Sequence, residues 1–443
     1  MRKSLGLFII FIVIVGGAWF LSDSLYLLPF DVQKFGVPFT QLSGVMAIAL
    51  MAFGTLLSIR PVWLEPYLNG LDKMYRLHKW LGISAMIVAV VHWLTAQGAN
   101  GKRGPPTAGT TAAAAVDTSA QAAQSLFGNL EGPAVGVAQP ALWILLVLVA
   151  IALIKWIPYH IFALTHRLVP LIFLVLVFHA VILMKPAYWT QPIGILMAAI
   201  FVVGVVSALI ALFRLIGARR KVGATVTHTS YIADVRSLLV ELEMAEGWKG
   251  HKPGQFAFIS SRKRWSKHPF TITSNWNPAN RKISFIVKEL GDATRDLYQK
   301  LQIGTALVVE GPYGYFNFED DKPRQIWVSG GIGITPFVAR MRHLSLSPVA
   351  KSIDLFHSDA VRSEEALAKM TNDAASSNVN LHLYITPENG RVTGAEIRKA
   401  VPNWKSASVW FCGPTAFAAA LKLDLMRHGM KSKDFHHELF ALR

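Results

Sequence analysis

Six long apolar stretches in the first half, a series of short β-type runs after them, and strands alternating with helices at the end predict a membrane protein of three parts. The expected architecture is a six-helix transmembrane bundle over 1–215, a small antiparallel β-barrel over 216–320, and a parallel α/β domain over 321–443. Composition agrees with that division. Of 443 residues, 52% are hydrophobic and 16% charged, too apolar for an ordinary soluble protein and too charged for a membrane bundle alone.

The apolar stretches lie near 5–21, 40–59, 80–96, 141–157, 161–184 and 191–213. Each approaches the roughly 20 residues needed to cross the hydrocarbon core. Arg2 and Lys3 precede the first, but no small-x-small cleavage site follows in GGAWFLSDS, so it reads as a retained helix. With the N-terminus inside, the inner side receives Arg2, Lys3, Arg60, Lys73, Arg76, Lys79, Lys155, Arg167, Arg214, Arg219, Arg220 and Lys221, and the outer side only Lys34, Lys102, Arg103 and Lys185. That bias puts the N-terminus and everything after 215 in the cytosol, with the inner membrane of the cell as the expected location. The formal charge of +17 suits anionic lipid headgroups and anionic nucleotides, and no pattern of a nucleic-acid-binding module is present. The segment 97–140, rich in Ala, Gly, Thr and Pro, reads as an outer loop. A single cysteine, Cys412, excludes an intrachain disulfide framework or thiolate cluster, so redox chemistry has to come from bound cofactors.

Beyond GARRK, the runs ATVTHTSYIADV, SLLVELEM, QFAFISS, KISFIVKEL and ALVVEGPYGYF are separated by turn residues, the pattern of a small barrel. From 324 onward, RQIWVSG, SIDLFHS, NLHLYIT and SASVWFCG read as buried strands, with TPFVARMRHL and SEEALAKM as intervening helices.

Two stretches carry histidines at an unusual place. YRLHKWLGISAMIVAVVHWL holds His78 and His92 fourteen residues apart, and THRLVPLIFLVLVFHAVIL holds His166 and His179 thirteen apart. Ionisable groups in a span cost several kcal/mol unless satisfied, so they mark function. Neutral imidazole is a haem ligand, and fourteen helical residues rise about 21 Å, enough for two b-type haems, one toward each face. His78 with His166 would ligate the inner haem, and His92 with His179 the outer one. Fourteen steps return to within about 40° of one face, whereas thirteen miss by about 140° unless Pro170 bends the helix. Hydrogen bonding within the bundle, or proton relay, is the alternative use of such histidines. His160 has no counterpart and reads as interfacial.

KHPFTITS (267–274) follows a strand of the expected barrel. With SFIVKELGDAT, PGQFAFI and EGPYGYF, it resembles the ferric reductase and NADPH oxidase superfamily, whose soluble half is a ferredoxin–NADP reductase-like module. The resemblance covers about 40–443. It implies that the flavin signature His268, Pro269, Phe270, Thr271, Ile272, Thr273 and Ser274 binds FAD. His268 and Thr271 would face the flavin, Phe270 would pack near its ring and Pro269 would fix the turn. Lys288 and Thr294 would approach the pyrophosphate, and a cation there also suits a diphosphate on physical grounds.

VSGGIGITPF (328–337) ends a strand and opens a helix. Its glycines allow close approach of a pyrophosphate, although a tight left-handed turn would use them equally well. By the resemblance, Gly330, Gly331, Gly333, Thr335 and Pro336 form the nicotinamide-nucleotide loop, and Cys412, Gly413 and Pro414 lie beside the nicotinamide. Phe440 would shield the flavin until the nicotinamide displaces it, though it is not the final residue as in many relatives. NADPH and NADH are both open. His357, Ser358 and Arg362 after a strand end, or Arg391, are candidates for a 2′-phosphate pocket, which leans the reading to NADPH.

The resemblance implies an oxidoreductase passing electrons from cytosolic NAD(P)H through FAD and two haems to an outer acceptor. Dioxygen giving superoxide is the first expectation and a ferric chelate the second. An electron-delivery subunit for an external protein, or a membrane redox sensor with negligible turnover, are the readings from other classes.

Overall fold

The computed structural model describes residues 2–23, 36–100, 118–154, 156–261, 265–290 and 294–438. They form two compact units, Met1–Leu68 with Lys73–Ile216, and Gly217–Arg443 with Asn69–Asp72.

The first unit is helical: α1 (Arg2–Ser22), α2 (Gly36–Ser58), α3 (Leu71–Asn100), α4 (Thr118–Leu153), α5 (Tyr159–His166), α6 (Val169–Leu183) and α7 (Pro192–Leu212). Among the described residues, six stretches are long and apolar enough to cross a membrane, with α5 and α6 together making the fifth. Large apolar side chains such as Ile10, Val13, Trp80, Ile87, Val147, Ile195 and Val202 stand exposed on these helices, as a lipid-facing surface requires. Inward, Phe173, Val177, Met197 and Phe201 pack with Val45, Ile48 and Ala52. Gly204 is what lets α7 approach α6, since a Cβ there would sit 2.7 Å from the Phe173 ring.

Two features depart from the sequence reading. The expected loop 97–140 is helical from Thr118 onward, and α3 runs on to Asn100. Alanine favours the helix, and Pro133 and Pro140 lie inside α4, as membrane helices tolerate when neighbours satisfy the freed backbone groups. The fifth span is also not continuous: it breaks at Arg167–Leu168, with Pro170 in the first turn of α6, where its missing N–H costs nothing.

The second unit holds two sheets. β1 (Lys221–Ile232), β2 (Ser237–Met244), β3 (Phe256–Ser261), β4 (Trp265–Thr271), β5 (Lys282–Lys288) and β6 (Ala306–Tyr313) form an antiparallel sheet in the order β4-β3-β6-β1-β2-β5. The expected barrel is not closed by a ladder. β4 ends at Thr271, and its continuation meets β5 through the single bridge Ile272–Phe285 and the bond from Thr273 N to Ser284 O. Val240, Leu242, Ile272, Ile283, Phe285 and Val309 fill the interior.

The other sheet is parallel: β7 (Arg324–Gly330), β8 (Ser352–Asp359), β9 (Val379–Ile385), β10 (Ala407–Cys412) and β11 (Phe435–Glu438), in the order β11-β10-β7-β8-β9. Its helices are α8 (Thr335–Leu344), α9 (Glu364–Ser376), α10 (Gly394–Ala400) and α11 (Thr415–Arg427). The strand order reverses between β7 and β10, and in open α/β sheets ligands bind outside the carboxyl ends of the strands at such a reversal.

Candidate active site

In the membrane unit the four histidines form two facing couples. The rings of His78 and His166 have centroids 6.1 Å apart at 81°, and those of His92 and His179 are 6.2 Å apart at 80°. Two imidazoles ligating one metal ion from opposite sides, with metal–nitrogen bonds of about 2.0–2.1 Å, put their ring centres roughly 6 Å apart. The couples therefore have the separation that a bis-histidine metal site requires.

The second member of each couple comes from the fifth span, one from either side of its break. Thirteen steps of an ideal helix would turn His166 and His179 to different faces, and the helix is interrupted between them, with α5 ending at His166 and α6 starting at Val169.

Ring orientation is fixed by main-chain carbonyls. His78 Nδ1 lies 2.8 Å from Gly54 O, His92 Nδ1 3.0 Å from Thr40 O, and His179 Nδ1 2.9 Å from Ala134 O. A carbonyl can only accept, so each Nδ1 carries the proton and donates, leaving Nε2 with its lone pair free for a metal. His166 Nδ1 is buried and has no hydrogen-bond partner. The accepting carbonyls on α2, Thr40 and Gly54, are fourteen residues apart, the same interval that separates His92 and His78 on α3. Gly44 makes room for the second contact, because a Cβ there would be 2.9 Å from the His92 ring. Sequence reasoning missed Thr40, Gly44, Gly54 and Ala134. The matching fourteen-residue interval was the signal for the α2 positions, while Ala134 left none, since any backbone carbonyl can serve.

In the reductase unit the flavin signature occupies β4, an edge strand, and its continuation. Strand alternation sends His268 and Phe270 to one face and Pro269 and Thr271 to the other. Phe270 packs against the apolar interior of the antiparallel sheet, and Ile272 is fully buried there. Thr271 and Thr273 are buried, and the Thr273 hydroxyl lies 3.0 Å from that of Ser284, while Ser274 Oγ accepts from Ser284 N. A single ligand meets both His268 and Thr271 only along the strand edge. Lys288 Nζ is 3.6 Å from Asp359, and Thr294 Oγ1 accepts from Leu290 N at 2.9 Å.

The glycine loop and the Cys-Gly-Pro segment come together at the reversal of strand order. A Cβ on Gly333 would run into the Cys412 carbonyl, and one on Gly330 would sit 2.9 Å from the Pro414 ring. Gly331 has φ +56°, a left-handed conformation. Thr335 and Pro336 open α8, both buried.

The Cys412 side chain is fully buried among Phe316, Trp327, Phe337 and Trp410. Burial pushes its thiol well above the ordinary value, and Glu438 adds to the shift. His357 is likewise turned inward, with Nδ1 2.8 Å from Ser329 Oγ, and burial brings its imidazole down to about 4. Ser358 Oγ accepts from Val392 N, and Arg362 is engaged by Glu364 and Glu388. Arg391 is exposed beside Val392. Phe440 lies outside the described residues.

Residues 43–177 match the family model of the ferric reductase like transmembrane component, and residues 227–317 that of an FAD-binding domain. The chain thus joins a ferric reductase-like transmembrane domain to an FAD-binding reductase module, and it is an integral membrane protein. The glycine betaine monooxygenase reductase subunit of Chromohalobacter salexigens is 26% identical over 206 residues, covering 43% of this chain and 56% of the relative. Ferric reduction oxidase 4 of Arabidopsis thaliana is 36% identical over 104 residues, 23% of this chain and 15% of the relative. Among solved structures, the Amycolatopsis cytochrome P450 reductase GcoB aligns with 51% of this chain and 71% of its own, at 21% identity and a TM-score of 0.43. The chain spans about half the length, or less, of the first curated relatives it matches.

Proposed function

We propose that this protein is an NAD(P)H-dependent oxidoreductase that carries electrons across the inner membrane to dioxygen on the outer side. The N-terminus and the reductase module face the cytosol, and the excess of Lys and Arg on that side supports this orientation and contact with anionic lipid. The observation that carries the proposal is the pair of facing imidazole couples, with three of the four Nδ1 groups held by carbonyls. The residues fit two haems: His78 with His166 would hold one, and His92 with His179 the other. When bound, the flavin accepts a hydride and the haems carry single electrons, the chemistry that side chains alone do not supply.

The protein's own part is to hold and to orient. The Nδ1 bonds of His78, His92 and His179 keep those imidazoles aimed, so little rearrangement accompanies ligation. The glycine loop and the main chain of Cys412–Pro414 seat the dinucleotide at the strand reversal, with the start of α8 favouring its phosphates. The segment Thr271–Ser274, at the end of β4 and just beyond it, holds the flavin edge through hydroxyl and main-chain groups. Per turnover, NAD(P)H loses a hydride to become NAD(P)+. Two dioxygen molecules each gain one electron as superoxide, and one proton is released.

A ferric chelate is the second acceptor, favoured by the similarity to a ferric reduction oxidase. The deciding measurement is NAD(P)H oxidation by the purified, cofactor-loaded protein, with and without oxygen, while superoxide and ferrous iron are both monitored. Oxygen-dependent turnover with stoichiometric superoxide is the expected result. Turnover only with ferric chelate assigns iron instead, and no turnover with either acceptor defeats the oxidoreductase reading.

A further inference from the structure

We infer that Asn275 and Arg342 form a clasp that sets the approach of nicotinamide to flavin. The inference rests on the hydride path proposed above. Asn275 follows directly after the flavin signature, and Arg342 lies in the last turn of α8, the helix opened by the glycine loop.

Two hydrogen bonds, one given by each residue, tie the segment 273–275 to the end of α8. Asn275 Nδ2 donates to the Arg342 carbonyl at 2.6 Å, and the Arg342 guanidinium donates to the Thr273 carbonyl at 3.2 Å. Each bond answers a local need. The Arg342 carbonyl is among the last four of its helix and accepts from the Ser345 hydroxyl at 2.9 Å, so the Asn275 amide is a second side-chain cap, reaching it from the flavin-signature segment. The Thr273 carbonyl lies just past β4, where the ladder to β3 has ended.

Both ends of the clasp are held from behind. Arg342 Nε is 3.4 Å from Asp373 of α9, which fixes the guanidinium. On the other side, Thr273 N donates to Ser284 O, Ser284 N donates to Ser274 Oγ, and His251 Nε2 donates to Ser274 O at 2.8 Å. The Asn275 Oδ1 atom is buried without a hydrogen-bond partner. The amide is therefore held by the bond from its nitrogen.

Helix α8 then acts as a strut. From Thr335 to Arg342 it rises about 10 Å. One end belongs to the loop that would seat the dinucleotide, and the other is pinned to the segment that would seat the flavin. A rigid link of this kind fixes the donor–acceptor distance, to which hydride transfer is steeply sensitive: a 1 Å displacement costs about a hundredfold. Asn275 and Arg342 are positioning residues, since neither is placed against a reacting atom.

The test uses the full-length protein loaded with FAD and follows flavin reduction in anaerobic single turnovers with NADPH and NADH, unlabelled and deuterated at the transferred position. Asn275→Ala and Arg342→Lys should each slow reduction about 10- to 100-fold, with a larger isotope effect. Bound FAD per chain and the nucleotide concentration at half-maximal rate should stay near wild type. The double variant should be no slower than the slower single one, because the two act as one unit. Reduction at the wild-type rate in both variants overturns the clasp, and so does slowing that only tracks loss of FAD. If neither nucleotide reduces the wild-type flavin, the hydride path itself fails and takes the clasp with it.

Discussion

In the membrane unit the proposed site rests on four side chains, three of them aimed by a carbonyl from a neighbouring helix. In the reductase unit the proposed site rests on the main chain, and two of the side chains expected to act, Cys412 and His357, are turned inward. The difference follows from what surrounds each site. Lipid offers no hydrogen-bond partners, so a polar side chain in a span has to be satisfied by the protein and its position is exacting. At the ends of parallel strands, exposed N–H groups and a helix start already favour phosphate, so side chains matter less than how closely the backbones approach.

The comparison breaks first at the histidines, where the largest effect is expected. His92→Ala or His179→Ala should lower haem from about two per chain to about one. FAD should remain bound, and delivery of electrons to an outer acceptor should fall by more than about a hundredfold. The pyridine haemochrome assay and flavin release on the same sample measure both. Two haems retained in either variant would dissolve the pairing, whatever the activity.

The corresponding test in the reductase unit adds a single methyl group. Gly333→Ala places a Cβ against the Cys412 carbonyl, which has little room to withdraw because it sits at the end of a fully buried strand. Overpacking of that kind costs about 1–3 kcal/mol. The specificity constant for NAD(P)H should drop about a hundredfold if the loop seats the dinucleotide, with haem and FAD contents unchanged. Unaltered kinetics would mean that the loop is only a tight turn.

How much of this was legible depended on the kind of signal. Apolar length revealed the six spans, and periodicity with turn residues separated the antiparallel sheet from the parallel one, because both rest on local patterns. The histidine intervals pointed to couples, but the break at Arg167–Leu168 between His166 and His179 was only hinted at by Pro170. The helical start of α4 at Thr118 was hidden by a composition that reads as loop. In the reductase unit the motifs located the loops. Side-chain direction was beyond them: nothing in SIDLFHS tells that His357 turns toward Ser329, since that depends on which face of β8 its neighbours cover.

The smallest expected effect concerns Cys412 and sharpens the contrast most. If main chain rather than side chain is used here, the thiol should be chemically silent in the folded protein. Burial holds it protonated well above its ordinary value, whereas in the unfolded chain it ionises near about pH 8.5. The folded state therefore keeps a proton that the unfolded state loses, so this group lowers stability as pH rises through that ordinary value. Cys412→Ala should flatten the alkaline decline, lose about 1–2 kcal/mol of packing at neutral pH, and leave flavin reduction nearly unchanged. Because the chain has one cysteine, a thiol reagent reads the site without ambiguity. Labelling should be negligible near about pH 8 in the native protein and reach one per chain in denaturant. Prompt labelling of the native protein would show that the thiol faces the dinucleotide site after all, and the division between a side-chain site and a main-chain site would no longer stand.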